Sequence, residues 1–179
     1  MQEKQSKYTG KIREMPQVAN NIIKVAPLMA KMGCSRILDF GAGTFRNTRY
    51  LQRLGYSVIA VEKTPVIEKF ARFKPGENQI ISVISPAVIE TWPGAFDAVV
   101  CTFVMNLLDD ATNSRLVSIF QDILKRDGLV FVEVKEMRTA RTSNGMTLTA
   151  LDRLFLNRGF FRLADFRGRY SIGALYRRI

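Results

Sequence analysis

The chain has 179 residues, 47% of them hydrophobic, enough for one domain with a real core. Lysine and arginine number 27 against 16 aspartates and glutamates, for a net charge of +11, with no histidine and two cysteines. Apolar runs fall short of the ~20 residues of a membrane span, and the missing histidine removes the commonest general base and the commonest metal ligand.

Residues 1–15 are polar, basic and without period, and read as a flexible segment: a tail, or a flap that orders on a ligand through Tyr8 and Arg13. They lack a signal peptide's apolar region, so a cytoplasmic location is expected. Residues 16–179 then read as a single domain. Val18, Ile22, Val25, Met29 and Met32 recur at helical intervals, with Pro16 suited to the first turn and Pro27 expected to kink or break the helix.

From Arg36 to Glu62 the pattern is strand, glycine turn, helix, strand, acid. Ile37 and Leu38 open a short apolar run that stops at Gly41, as a buried parallel strand does. Gly41 and Gly43 allow a tight turn and a close ligand approach. Thr44 to Leu54 is helical, with Tyr50, Leu51 and Leu54 on one side and Gly55 at the C-terminal position that favours a left-handed residue. Tyr56 to Val61 is a second strand ending at Glu62, 19 residues beyond Gly43. An acid at that distance is placed to hold both hydroxyls of a ribose. A dinucleotide fingerprint would need a glycine where Arg46 stands, and a kinase-type P-loop would need Gly-Lys-Ser/Thr.

Asp39-Phe40-Gly41-Ala42-Gly43 resembles motif I of the class I S-adenosylmethionine-dependent methyltransferases, and Val58 to Glu62 is similar to that family's ribose-binding strand. The resemblance implies a single Rossmann-like, doubly wound α/β sheet of about seven strands. It would be mainly parallel with an antiparallel C-terminal strand, and carry helices on both faces. It also implies adenosylmethionine as cofactor. Family members often have glycine where Phe45 stands.

Beyond Glu62, Thr64-Pro65 starts a helix with Val66, Ile67 and Phe70 on its apolar side, and Lys74 to Glu77 is a loop. Gln79 to Ile84 is the third strand. The family often places an aspartate after it for the adenine; here no acid lies between Asn78 and Glu90, and backbone groups of Ser85 to Ala87 are expected instead. Trp92 to Ala95 is a turn, and Phe96 to Cys101 a buried fourth strand in which Asp97 serves structure. Cys34 and Cys101 read as reduced thiols. Asp109 or Asp110 caps a helix with Leu116, Phe120, Ile123 and Leu124 inward, and Asp127-Gly128 turns into a fifth strand, Leu129 to Val134. A basic loop with Arg138, Arg141 and Asn144-Gly145 follows, then a helix with Leu151, Leu154 and Phe155 inward. Phe160 to Asp165 and Ser171 to Tyr176 close the chain as a strand pair.

The expected cofactor contacts are Asp39, Gly41, Ala42, Gly43, Arg46, Asn47, Glu62, Lys63, Ser85 and Thr102. Asp39 would orient the turn or reach the methionine amino group, Glu62 would hold the ribose, and Arg46 or Asn47 is placed to meet the methionine carboxylate, with a plain surface helix position as the alternative for both. Phe103, Met105 and Asn106, after strand four, and Arg138 and Arg141, after strand five, are expected to bind the acceptor. Thr102 to Asn106 departs from the Asp/Asn-Pro-Pro-Tyr/Phe of DNA amino-methyltransferases. No metal site is expected, and no residue is assigned a catalytic role. From Lys135 to the end ten basic residues face three acidic ones, which favours a small or anionic acceptor. RNA methylation, or a non-catalytic module that binds adenosylmethionine, are the alternatives.

Overall fold

The structure, a computed structural model, describes residues 19–71, 82–137 and 144–179. The expectations for residues 1–15, Pro16, Val18, the loop 74–77, the start of the third strand, Arg138 and Arg141 lie outside these residues. Their elements run α1 (Asn20–Lys31), β1 (Arg36–Phe40), α2 (Arg46–Arg53), β2 (Ser57–Val61), α3 (Thr64–Ala71), β3 (Ser82–Ile84), α4 (Pro86–Ile89), β4 (Phe96–Thr102), α5 (Asp110–Ile123), β5 (Leu124–Lys135), α6 (Leu148–Leu156), β6 (Phe160–Arg167) and β7 (Ser171–Arg178). No helix among them is long and apolar enough to cross a membrane.

One seven-stranded sheet has the order β3-β2-β1-β4-β5-β7-β6. Neighbours from β3 through β5 pair in parallel, while β7 runs antiparallel to both β5 and β6. The sheet is thus mainly parallel with an antiparallel closing strand, as the sequence implied. Apolar residues on both sides of β1, β4 and β5 demand cover on two faces. On one face Ile37, Val100 and Phe131 pack under Ile22, Val25 and Met29 of α1 and Leu51 of α2. On the other, Leu38, Val99 and Val132 pack under Phe120 of α5 and Phe155 of α6. Chain order reverses at β1, whose neighbours are β2 and β4, and the crevice beyond the carboxyl ends of these strands is where open α/β sheets bind ligands.

Three local expectations are corrected. Of the kink or break expected at Pro27 the break is absent, since helix α1 continues through it. Pro27 lies on the exposed side of the helix with Ile23 and Lys24, so the carbonyl left without its N–H donor faces water. Leu54 is 52% exposed, because α2 has ended and Leu54 sits at its C-terminal cap before Gly55 at φ 93°. The strand that begins at Leu124 contains Asp127-Gly128: Leu124 already pairs with Phe96, residues 125–128 loop out with Asp127 at φ 64°, and regular pairing resumes at Leu129. Asp109 is the cap of α5, accepting from the Thr112 N–H at 2.7 Å. Both cysteines are free thiols.

Asp97 fastens the amino edge of the sheet, opposite the crevice. Its Oδ2 accepts from the Ser35 N–H (2.9 Å), the Ser35 hydroxyl (2.9 Å) and the Arg36 N–H (2.8 Å), and its Oδ1 pairs with Lys125 Nζ at 2.7 Å. Burial alone would raise its pKa, but the bonds from Lys125, Arg36 and Ser35 together hold the carboxyl well below the usual range. A depressed folded pKa gives stability that is complete above the unfolded value of about 4 and is lost as pH falls below it. Replacing Asp97 with Ala is therefore expected to cost about 2–3 kcal/mol at neutral pH, by loss of charge-assisted bonds. The deficit should shrink when urea unfolding is repeated below pH 4, and an equal deficit at both pH values would refute the assignment.

Candidate functional site

The glycine turn after β1 is built from left-handed backbone. Gly41, Gly43 and Phe45 have φ of 69°, 54° and 57°. The N–H groups of Gly41 and Ala42 both donate to the Val61 carbonyl, at 2.9 and 3.1 Å, which folds the turn against the end of β2. A Cβ on Gly41 would stand 2.3 Å from Val104 Cγ2, so no larger residue fits there. A Cβ on Gly43 would meet nothing closer than 3.9 Å, leaving room for a ligand. Phe45 keeps the conformation that a glycine would adopt, with its ring buried against Ala42 and Ala60.

Glu62 reaches this turn. Its Oε2 accepts from the Gly43 N–H at 2.8 Å and its Oε1 from the Lys63 N–H at 2.9 Å. Half-buried at the rim, the carboxylate keeps further acceptor capacity for hydroxyl donors. The Lys63 side chain points to solvent, and Ser85 stands half-buried between β3 and α4.

Asp39 lies beneath the turn and is 1% exposed. Oδ2 accepts from the Thr48 hydroxyl at 2.5 Å, whereas Oδ1 is buried and unpartnered. Burial pushes the carboxyl up to about 6, against the pull of Thr48 and with Glu62 adding repulsion and Arg46 offsetting it. Asn47 is no surface residue: it is 4% exposed, donates to the Thr102 hydroxyl at 2.9 Å and accepts from the Ala19 N–H at 3.4 Å. Asn47 and Thr102 therefore satisfy each other and pin the start of α1 over the start of α2 and the end of β4.

Of the residues expected at the acceptor side, Phe103 turns the chain out of β4 at φ 58° and is half-buried. Asn106 is half-buried and leaves its Oδ1 without a partner. Met105 is fully buried in the core cluster under α5, so it supports the crevice from below rather than lining it. Sequence reasoning missed Glu133. This residue is 2% exposed on β5, in register with Thr102. Its Oε1 accepts from Asn21 Nδ2 (2.9 Å) and the Ser171 hydroxyl (2.6 Å), and its Oε2 has no partner. The signal was present: an acid between Val132 and Val134, inside a strand apolar on both faces, must be buried.

Residues 38–132 match the family model described as "Methyltransferase domain". An uncharacterized methyltransferase of Geobacillus sp. (strain WCH70) is 27% identical over 161 residues, covering 89% of this chain and 73% of that protein. Among solved structures, a protein of Pyrococcus horikoshii OT3 superposes with a TM-score of 0.74 at 16% identity, over 89% of this chain and 90% of that one. The 1,6-didemethyltoxoflavin-N1-methyltransferase of Burkholderia thailandensis, solved with 1,6-didemethyltoxoflavin and S-adenosylhomocysteine, gives 0.66 at 19% identity, over 89% and 78%. With the family model spanning the glycine turn, Glu62 and the strands between β1 and β5, the chain belongs to the methyltransferase domain family, as a class I S-adenosylmethionine-dependent methyltransferase.

Proposed function

We propose that the protein methylates a small or anionic acceptor, with the cofactor lying across the carboxyl ends of β2, β1 and β4. The observation that carries the cofactor placement is the Gly43–Glu62 hydrogen bond, which sets an open turn beside a half-exposed carboxylate. The residues present fit the group. Glu62 takes the ribose hydroxyls, the space above Gly43 admits the methionine portion, and the orphaned Asp39 Oδ1 suits its ammonium. Arg46 at the start of α2 faces the methionine carboxylate, Ala42 and Lys63 complete the rim, and Ser85 with its neighbours meets the adenine. Asn47 and Thr102 shape this floor through their mutual bond. Adenosylmethionine supplies an activated methyl group, so the protein's task is orientation.

On the acceptor side Phe103 and Asn106 edge the crevice, and Arg138 and Arg141 offer bidentate forks for a phosphate or carboxylate. Elsewhere in the C-terminal quarter Arg162, Arg167 and Arg177 are paired with Asp152, Glu136 and Asp127. The case for an anionic acceptor at the crevice rests on Arg138 and Arg141 because they follow the carboxyl end of β5. The net charge of +11 also favours RNA as a second reading. Phosphate contacts would make RNA affinity fall steeply between 50 and 200 mM salt, whereas a small acceptor would show a shallow dependence.

Glu62→Ala is expected to weaken adenosylmethionine binding by about 1–3 kcal/mol, a 5- to 150-fold rise in Kd. Calorimetric titration, with NAD as the control ligand, checks this; unchanged affinity in a folded variant removes Glu62 from the site. Asp39 attracts an ammonium only when ionised, so cofactor affinity should rise as pH passes upward through about 6 and level off above pH 7. The same titration from pH 5 to 7.5 should be flat in Asp39→Asn, and a flat wild-type curve would sink the assignment. Labelled cofactor and cell extract identify an acceptor, and absence of any transfer marks a binding module. With the acceptor in hand, the double variant Arg138→Ala, Arg141→Ala should raise its KM about tenfold or more, as loss of charge-assisted bonds does. Cofactor affinity should stay constant, and an unchanged KM would place the loop in solvent.

A further inference from the structure

Glu133 is a buried acid that the cofactor site does not use. One carboxylate oxygen is fully engaged by Asn21 and Ser171 while the other has nothing. A buried carboxylate oxygen without a donor is costly, and folded proteins retain such a group where a ligand completes it or chemistry needs it. A purely structural tie between α1 and the sheet would be served as well by a neutral amide, which could accept from Asn21 and Ser171 without a second charged oxygen.

Its location is specific. Glu133 is in register with Thr102, the last residue of β4, on one side, and with Gly173 on the other. Its backbone carbonyl accepts from the Phe103 N–H at 2.6 Å, so the strained residue that leaves β4 is fixed to it. Asp39 is in register with Val100 and Glu133 with Thr102, two residues further along β4, so both acids stand on one face of the sheet at the carboxyl ends of their strands. Asp39 sits on the β1 side, under the cofactor turn, and Glu133 on the β4–β5 side.

We infer that Glu133 Oε2 receives the N–H or O–H of the methyl acceptor and takes its proton during transfer, so that the acceptor is a nitrogen or oxygen nucleophile with a hydrogen to give. The inference rests on the adenosylmethionine site proposed above. In the step, a lone pair of the acceptor atom forms the bond to the methyl carbon. The carbon–sulfur bond breaks with its electron pair going to sulfur, and the acceptor's proton passes to Oε2. Charge is conserved: the sulfonium's positive charge leaves with the proton, which neutralises the carboxylate. Burial, the largest influence on Glu133, raises its pKa and so strengthens it as a base.

The probe is sinefungin, an adenosylmethionine analogue that carries an amino group where the sulfonium methyl would be, compared with S-adenosylhomocysteine, which has nothing there. If Glu133 faces the transferring position, wild-type protein should bind sinefungin about tenfold or more tighter than S-adenosylhomocysteine, through the attraction of its ammonium for a buried carboxylate one acceptor atom away. Glu133→Gln should abolish that preference and leave S-adenosylhomocysteine affinity unchanged. Absence of the preference in wild type overturns the inference, as does a preference that survives in the folded variant. Should Glu133→Gln fail to fold by circular dichroism, the wild-type ratio decides alone. If wild type binds neither compound, the cofactor site is lost and the inference with it, an outcome distinct from equal binding of both.

Discussion

The hydrogen bond from the Gly43 N–H to Glu62 Oε2 closes a loop of backbone that the rest of the crevice is arranged around. A turn with three left-handed residues in five has little regular hydrogen bonding of its own. It is held instead by the Val61 carbonyl, which accepts from Gly41 and Ala42, and by Glu62 one residue later. Both anchors belong to the end of β2, so β1 and β2 must be in register for the turn to exist. Their parallel pairing places Phe40 beside Val61. The Phe45 conformation costs about 1 kcal/mol for a residue with a side chain. Burial of its ring offsets this, since a fully buried phenylalanine contributes about 1.5–3 kcal/mol. The shape that glycine would supply is thus kept by a residue that also packs the turn against β2.

The two faces of the sheet differ at their carboxyl ends. On the α5–α6 face apolar side chains continue to Val134. On the α1–α2 face the apolar layer of Ile37, Val100 and Phe131 gives way, one step along each strand pair, to Asp39, Thr102 and Glu133. Because side chains alternate, these three share a face with one another and with the helices that supply Asn21, Asn47 and Thr48. The result is a buried polar shelf at the end of an apolar slab. Its internal bonds, Thr48 to Asp39, Asn47 to Thr102 and Asn21 to Glu133, each join a helix to a strand and fix the shelf's geometry before any ligand arrives.

The sheet was legible because parallel strands buried on both faces write themselves as short apolar runs, and the glycine turn with its distant acid set the direction of the first two. What lay between the runs was harder. Asn47 read as a contact for the methionine carboxylate or else a plain surface position, because the visible stripe was Tyr50, Leu51 and Leu54; the structure instead buries Asn47, Thr48 and Leu51, a stripe two-thirds polar whose polar members bond to Thr102 and Asp39. Met105 read as part of an exposed rim because it follows a strand end, but a short helical turn over Met105–Leu107 folds its side chain back into the core. Pro27 overstated the break in α1, since a proline on the wet side of a helix forfeits one hydrogen bond to water and no packing. Asp97 was placed correctly as structural, and the reason is now specific: it lies at the amino edge, where α/β sheets are fastened rather than used.

The absence of histidine sharpens the chemical question. Transfer to a neutral nitrogen or oxygen releases a proton, and an enclosed crevice must pass it to a group of suitable basicity. The carboxylates buried at the shelf are Asp39 and Glu133. Thr48 holds one oxygen of Asp39, and the other, buried and unpartnered, is the one proposed above to meet the cofactor's ammonium. A proton taken there would weaken cofactor binding at the moment of transfer. Glu133 stands clear of that conflict, on the far side of Thr102, and its engaged oxygen fixes the free one in place. In the proposed reading, one acid would attract the cofactor and a different one would accept the proton, so both could act in one turnover; the alternation of β1, β4 and β5 side chains puts the two on the same face.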